Sequence, residues 1–219
     1  MTNETHREST LPSHSVTERH FYLMVLPCER CGKGPFKRVS SERTGDEKVD
    51  IWYTRCRACG AGRRLLFDRS KLQVEEASGE PAQIPVVNPT NEASELLDLG
   101  QWLALFHAII SATAEETDRK EAQRLGYEAT LCLEEALKFY PSDGELPDEK
   151  AFFTEHSRRG FRERPEQFAR ERLYQMRQKL PSLRVIRAHL DRGPSGEGDA
   201  VTSRPTRWAR FRRWLRRRL

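Results

Sequence analysis

Cysteine residues form the clearest chemical pattern in this sequence of 219 residues. Cys28 and Cys31 are separated by two residues, and Cys56 and Cys59 repeat that spacing further along the chain. Two thiolates at this spacing can chelate one cation on a tight turn, and two such turns supply four sulfurs for a tetrahedral Zn²⁺ ion. The pattern therefore predicts one structural zinc ion bound by these four cysteines.

A glycine follows each cysteine pair, Gly32 after the first and Gly60 after the second. A backbone that curls around a metal needs a position that tolerates a positive φ, and glycine supplies it without strain. A Cys-x-x-Cys pair is also a thiol–disulfide oxidoreductase motif, but two matched pairs without a βαβ pattern favour metal binding. Cys132 is the remaining cysteine, so we expect no disulfide framework.

Other reactive side chains form no catalytic pattern in the sequence. There is no nucleophile elbow, no glycine loop for phosphates and no His-Glu-x-x-His motif. The acids and the histidine on the predicted helices include no Glu-x-x-His pair, so we interpret the acids as a solvated face and the histidine as its boundary: Glu128, Glu134, Glu135 and His107. We expect three N-terminal histidines to be solvated as well: His6, His14 and His20.

The residues around the cysteines favour β-structure. The apolar run at residues 21–26 ends at Pro27 and predicts a strand. Residues 36–41 and 49–55 flank the polar turn at residues 43–46, which predicts a hairpin, and residues 63–67 predict a closing strand. The cysteine pairs would then lie at two turns of a small antiparallel sheet.

This double Cys-x-x-Cys-Gly pattern around a hairpin resembles the zinc-ribbon superfamily, with rubredoxin-like knuckles, over residues 21–68. The resemblance implies a structural Zn²⁺ and a module that binds nucleic acid, binds protein or serves as a subdomain of a larger protein. Rubredoxins, which hold iron, usually have an aromatic residue after the first knuckle and a proline inside the second. Lys33 and Arg57-Ala58 occupy those places here.

The predicted ribbon is basic. Residues 28–64 contain ten Lys/Arg and five Asp/Glu, a formal charge of +5, which one Zn²⁺ with four thiolates would lower to about +3. Candidate nucleic-acid contacts are basic residues and an aromatic residue that could stack on bases: Lys33, Lys37, Arg38, Trp52, Arg63 and Arg64. Tyr53 is a second stacking candidate. The alternative is that Trp52 or Tyr53 fills the small core and the cations are merely solvated.

The rest of the chain has a helical pattern. Asn91 is a candidate N-cap, and apolar residues recur at helical spacing between 96 and 110. A second helix is predicted at residues 118–140 and a third at 165–180, with shorter pieces between them. Residues 92–149 have four Lys/Arg and fourteen Asp/Glu, whereas residues 150–190 have eleven and four. We therefore expect the third helix to pack beside the first two, with charges paired at the rim.

The C-terminal residues 204–219 predict a basic amphipathic helix containing eight arginines and no acid. The residues expected to contact an anionic surface are Arg207, Trp208, Arg210, Phe211, Arg212, Arg213, Trp214, Arg216 and Arg217. Three partners fit such a helix: an anionic membrane surface, nucleic acid, or the acidic 92–149 region of this chain or a second copy. An undocked, solvated tail is the remaining interpretation.

The sequence thus predicts an α+β fold: a small antiparallel zinc ribbon, then an all-α helical hairpin or bundle and the amphipathic helix. The predicted division is an arm at 1–20, the ribbon at 21–68, a linker at 69–91, a helical domain at 92–191, a spacer at 192–203 and the tail at 204–219. The arm is expected to be disordered. No apolar run approaches the roughly 20 residues of a membrane helix and no signal peptide is evident. We expect a cytoplasmic protein, with peripheral contact at the inner membrane surface.

The functional hypothesis from the sequence is a non-enzymatic, zinc-stabilised adaptor or regulator. Its helices would bind a protein partner and its tail an anionic surface. The main alternative is a nucleic-acid-associated factor that uses the ribbon and the tail. A third hypothesis is an enzyme that contains the ribbon as an accessory subdomain.

Overall fold

The computed structural model describes residues 10–72, 87–142 and 144–180. A three-stranded antiparallel sheet is followed by helices, which confirms a mixed α and β architecture. The helices are α1 (Val16–Val25), α2 (Leu99–Glu115), α3 (Arg119–Leu137), α4 (Glu155–Glu163) and α5 (Arg170–Gln178). The strands are β1 (Phe36–Arg43), β2 (Val49–Cys56) and β3 (Gly62–Asp68). In these residues no helix combines the length and the apolar character needed to cross a bilayer.

Helix α1 replaces the strand predicted at residues 21–26, so that prediction is wrong. The Ser15 side chain caps the helix by accepting a hydrogen bond from the backbone N–H of Glu18. This Ser-x-x-Glu spacing is a helix-start signature, and the apolar run is only the second half of the helix. The prediction of a disordered arm is wrong for residues 10–20 as well, because His14, Glu18 and Arg19 are buried.

The sheet confirms the predicted hairpin and closing strand. Its order is β1-β2-β3, and a bulge at Val39 shifts the register between Arg38 and Ser40. Leu11 adds a parallel bridge to Phe67 at the β3 edge. Alternate residues of β2 face α1 and bury Trp52, Thr54 and Cys56.

Helices α2 and α3 pack as the predicted antiparallel hairpin. Asp118 caps α3 through the backbone N–H groups of Lys120 and Glu121, as its position at the predicted start suggests. Helix α2 starts at Leu99, not after Asn91, because Asp98 and Gln101 form a reciprocal capping box. The predicted first helix is therefore wrong in its start by several residues.

The segment after α3 contains short helices, as expected, but the predicted third helix is divided. Pro165 begins a 3₁₀ turn that ends at Phe168, and α5 begins at Arg170. The break lies at Ala169, whose extended backbone lets Phe168 pack against Phe152 at a centroid distance of 5.2 Å. The predicted charge pairing between the hairpin and the third helix is present in one contact, from Arg177 of α5 to Glu134 of α3 at 2.5 Å.

One hydrophobic core extends from the sheet through α1 into the helical hairpin. Phe21 of α1 packs at a tilt against Trp102 of α2 with ring centroids 5.7 Å apart, and both residues are almost fully buried. Val87, at the end of the predicted linker, is also buried, and its carbonyl accepts a hydrogen bond from the Ser15 hydroxyl. The parts on either side of the predicted linker therefore share a core. The predicted spacer at 192–203 and tail at 204–219 lie outside the described residues.

Candidate metal centre

Two backbone turns of the same design present the four cysteine sulfurs. In the first turn the Cys28 N–H donates to the Lys33 carbonyl, and the Gly32 N–H donates to the Cys28 carbonyl at 2.7 Å. In the second turn the Cys56 N–H donates to the Ala61 carbonyl at 2.8 Å, and the Gly60 N–H donates to the Cys56 carbonyl at 3.0 Å. The φ angles of Gly32 and Gly60 are 68° and 76°, values that favour glycine.

The two turns come from different elements. The first follows α1 directly, and the second connects β2 to β3. A hydrogen bond from the Arg57 N–H to the Pro35 carbonyl, 2.9 Å long, ties the second turn to the residue that precedes β1. The sheet and α1 together therefore fix how far apart the cysteine pairs lie.

The sulfur positions fit one tetrahedral metal ion. The Sγ atoms of Cys28 and Cys59 are 3.7 Å apart, those of Cys31 and Cys56 are 3.9 Å apart, and all four lie within 4.8 Å of one another. A tetrahedron with metal–sulfur bonds of about 2.3 Å has sulfur–sulfur edges of about 3.8 Å. All four cysteines are free thiols, not disulfides. These residues could therefore hold a metal ion with little rearrangement.

The ionisation of the sulfurs favours a cation between them. Burial raises the pKa of the Cys28 thiol, but hydrogen bonds from the backbone N–H groups of Cys31 and Arg30 outweigh it and lower that pKa to about 7. The Lys33 N–H lowers the pKa of Cys31, yet burial and the other three sulfurs raise it to about 12. Four crowded sulfurs thus resist full ionisation unless a positive ion offsets the charge.

No family model, curated protein or solved structure matches this chain. The likeness to zinc ribbons is therefore carried by the cysteine spacing and by the sulfur geometry.

The structure divides the predicted nucleic-acid contacts between two faces of the sheet. Trp52 is 2 % exposed and packs edge-on against Phe67, so its predicted stacking role is wrong and it fills the core. The Arg38 guanidinium lies 4.6 Å from the centre of the Trp52 ring on the same face. Arg63 pairs with Glu29 at 3.0 Å. These residues belong to the face that α1 covers.

The opposite face of the sheet is exposed at the end nearest the cysteine turns, whereas Ile51 further along it is buried. Lys37 and Arg64, both predicted contacts, lie on this face and are exposed. Tyr53 lies between β1 and β3 on this face, opposite Ser40 and Arg64. Arg55, opposite Lys37, was missed by the sequence reasoning, although the alternation along β2 places it on the same side as Tyr53. Lys33 is also exposed, at the first cysteine turn.

The acidic face predicted on α3 is largely buried, so the prediction of a solvated face is wrong for Glu128 and Glu135. Burial raises the pKa of each to about 7, although Arg124 and Lys138 respectively oppose the shift. Arg124 bridges Glu121 and Glu128, and Lys138 lies 2.9 Å from Glu135. Glu121, Glu128 and Glu135 recur every seven residues, which places them on one side of the helix.

His14 is buried and not solvated as predicted. Its backbone N–H donates to Glu18 Oε2 at 2.6 Å, and the Ser94 hydroxyl donates to Glu18 Oε1 at 2.5 Å. The contact with Glu18 raises the pKa of the His14 ring. The His107 side chain on α2 is exposed at its surface, and partial desolvation against the neighbouring helices, followed by the charge of Arg172, lowers its pKa. His14 with its neighbours therefore joins α1 to the segment before α2.

Proposed function

We propose that this chain is a non-enzymatic adaptor stabilised by one zinc ion on Cys28, Cys31, Cys56 and Cys59. The observation that supports the proposal is the tetrahedral spacing of the four sulfurs. Four protein ligands complete the usual coordination of zinc and leave no position for a substrate. The ion would therefore act on the fold, by joining α1 to the sheet.

A protein partner would bind the helical part. The large apolar side chains that are exposed in the described helical residues are Leu146, Phe153 and Tyr174. Phe153 packs on Phe139 with ring centroids 6.3 Å apart, so the exposed ring is held in place by a partly buried one. Fixed, exposed aromatic groups are typical anchors of protein interfaces.

The predicted amphipathic helix at residues 204–219 would bring the adaptor to an anionic surface. Its arginines and tryptophans lie outside the described residues, and this part of the proposal depends on the sequence alone. Flotation with anionic vesicles, before and after removal of residues 204–219, tests it. Vesicle binding that persists after the removal would contradict the role of this segment.

Metal content is the first test of the adaptor. Native mass spectrometry of the purified full chain should show one zinc ion, lost in Cys56→Ser and kept in Cys132→Ala, because Cys132 lies in α3 away from the site. Iron in place of zinc, with reversible redox behaviour, would instead indicate an electron carrier. A dithiol that cycles to a disulfide without metal would remove the structural role altogether.

A further inference from the structure

The solvent face of the sheet combines cations and an aromatic ring in three adjacent rows. Lys37, Arg55 and Gly62 form the row nearest the cysteine turns, and Ser40, Tyr53 and Arg64 form the next. All six residues are exposed. The third row is Glu42, Ile51 and Leu66. The cationic end of this face is therefore adjacent to the metal centre, and the acid is at the far end.

Lys37 and Arg55 lie directly opposite each other across β1 and β2. Like charges at opposed positions destabilise a strand pair, so the fold gains nothing from this arrangement. The ion pairs of the described ribbon residues join Arg19, Arg43 and Arg69 to Asp50, and Arg63 to Glu29. Within the described part of the chain, neither Lys37 nor Arg55 takes part in such a pair. Both cations are therefore available to an anion from outside.

Tyr53 supplies a fixed aromatic surface beside these cations. Tyr53 is 39 % exposed, whereas the neighbouring Trp52 is 2 % exposed on the other face. The Tyr53 hydroxyl donates to Glu42 Oε1 at 2.6 Å, which fixes the ring on the β1 side of this face. Arg64 lies opposite Tyr53 on β3. A planar base could stack on the ring while its flanking phosphates contact Lys37, Arg55 and Arg64.

We propose that this face binds single-stranded nucleic acid, with Tyr53 stacking on a base and Lys37 and Arg55 contacting phosphates. The inference rests on the proposed metal-stabilised adaptor, for which it names a partner. An exposed ring beside cations that can contact phosphates is the combination that sequence-tolerant single-strand binding proteins use. Neighbouring strands are about 4.8 Å apart and successive rows about 6.7 Å apart, which also places the ring and the cations within the span of a few nucleotides.

The test measures fluorescence anisotropy of labelled oligothymidylate and oligouridylate of about 12 nucleotides with the zinc-loaded full chain. Charge reversal in Lys37→Glu/Arg55→Glu is expected to weaken binding at least about tenfold near 50 mM salt. The plot of log binding constant against log salt concentration should also become less steep by about 1.4, since each of the two lost phosphate contacts contributes about 0.7 to the slope. Tyr53→Ala is expected to weaken binding about tenfold, whereas Tyr53→Phe, which keeps the ring but loses the hydrogen bond to Glu42, should retain most of the affinity.

A matched control separates this face from general attraction to a basic chain. Lys48→Glu/Lys150→Glu makes the same change in net charge at two exposed positions, one in the β1–β2 turn and one in the 3₁₀ turn before α4. It should retain most of the affinity. Equal losses in both double variants, or no loss in Lys37→Glu/Arg55→Glu, would overturn the proposal and assign binding to the arginines of residues 204–219.

Metal content and vesicle binding complete the design. Zinc stoichiometry is measured for every variant, so that loss of binding together with loss of zinc indicates damage to the ribbon. Tyr53→Ala with intact zinc then decides: unchanged binding overturns the proposal. A chain that keeps its zinc but binds neither oligonucleotide overturns this inference and leaves the adaptor proposal standing. Binding of phosphatidylserine vesicles, but of no oligonucleotide, through the same residues would also overturn it.

Discussion

The Ser157 hydroxyl donates a hydrogen bond to Asp98 Oδ1 at 2.8 Å, and both side chains are buried. The other carboxylate oxygen of Asp98 accepts from the backbone N–H groups of Phe153 and Thr154, at 3.0 and 2.9 Å. Asp98 also caps α2 through Gln101. One carboxylate therefore joins the start of α2 to the start of α4.

Replacing Asp98 with alanine should destabilise the protein by about 3 kcal/mol or more. The change removes a helix cap worth about 1 kcal/mol and leaves buried donors of the 153–157 segment without their acceptor. Asp118→Ala is the matched control, because Asp118 caps α3 at an exposed position and should cost only about 1 kcal/mol. Urea unfolding followed by circular dichroism measures both. Equal costs would contradict the role of Asp98 as a junction.

Gly100 lies where α2 meets Ser157 of α4, and alanine there should destabilise the protein although helix propensity alone favours it. A Cβ atom at this position would lie 2.6 Å from Ser157 Oγ and 2.8 Å from Ser157 Cβ. Gly100→Ala is therefore expected to destabilise the protein, although alanine normally gains about 1 kcal/mol over glycine inside a helix.

Gly160→Ala in α4 is the control for Gly100→Ala. A Cβ atom there meets nothing within 4 Å, so this variant should be more stable than the wild type by up to about 1 kcal/mol. Thermal unfolding of the two variants should give shifts of opposite sign. A stabilising Gly100→Ala would show that α4 can move away from α2 at little cost.

Local sequence patterns were sufficient for the metal centre and for the hairpin. Each cysteine turn with its glycine, and the turn at residues 43–46, is formed by hydrogen bonds between residues close in sequence. The local spacing was therefore enough to predict the geometry of each turn. The start of α1 could also have been found, because Ser15 and Glu18 have capping spacing. The apolar run at 21–26 concealed it, since six residues fit either periodicity.

Tertiary contacts decided what the sequence did not predict. Asp98 and Asn91 are both acceptable helix caps, and Asp98 also accepts hydrogen bonds from residues 153–157, which no local window contains. Glu128 and Glu135 look like solvated acids in sequence, and their burial depends on what packs against that side of α3. Arg55 was missed because the exposed face of the sheet is defined by strand register, not by composition.

The buried Glu128 should make stability fall as the pH rises. Burial raises its pKa to about 7, so the folded state holds a proton that the unfolded state has already released. The stabilising effect is complete below the unfolded pKa of about 4.3 and is lost as the pH rises through about 7. Glu128→Gln should flatten this decline between about pH 4 and 7, by up to about 3 kcal/mol, in urea unfolding at a series of pH values. Parallel pH profiles for the two proteins would contradict the assignment.

Removing the metal should weaken the helical hairpin as well as the ribbon. Structural zinc contributes on the order of 10 kcal/mol to small domains, which is comparable with the whole stability of a fold. Because α1 leads into the first cysteine turn and its Phe21 packs on Trp102 of α2, loss of the metal should loosen α1 and expose part of the shared core. If the ribbon and the helical part were instead independent domains, the melting temperature of the helices would not change when the metal is removed.

Thermal melts recorded by circular dichroism at the helical band, with and without a strong chelator, distinguish these outcomes. Chelation is expected to lower the helical midpoint, and added zinc should restore it. Cys56→Ser should melt like the chelated wild type with or without added zinc, whereas Cys132→Ala should still respond to the metal, since its thiol lies in α3 outside the sulfur quartet. A helical midpoint that does not respond to chelation, in a chain shown to have released its zinc, would mean that the contact between Phe21 and Trp102 transmits no stability from α1 to α2.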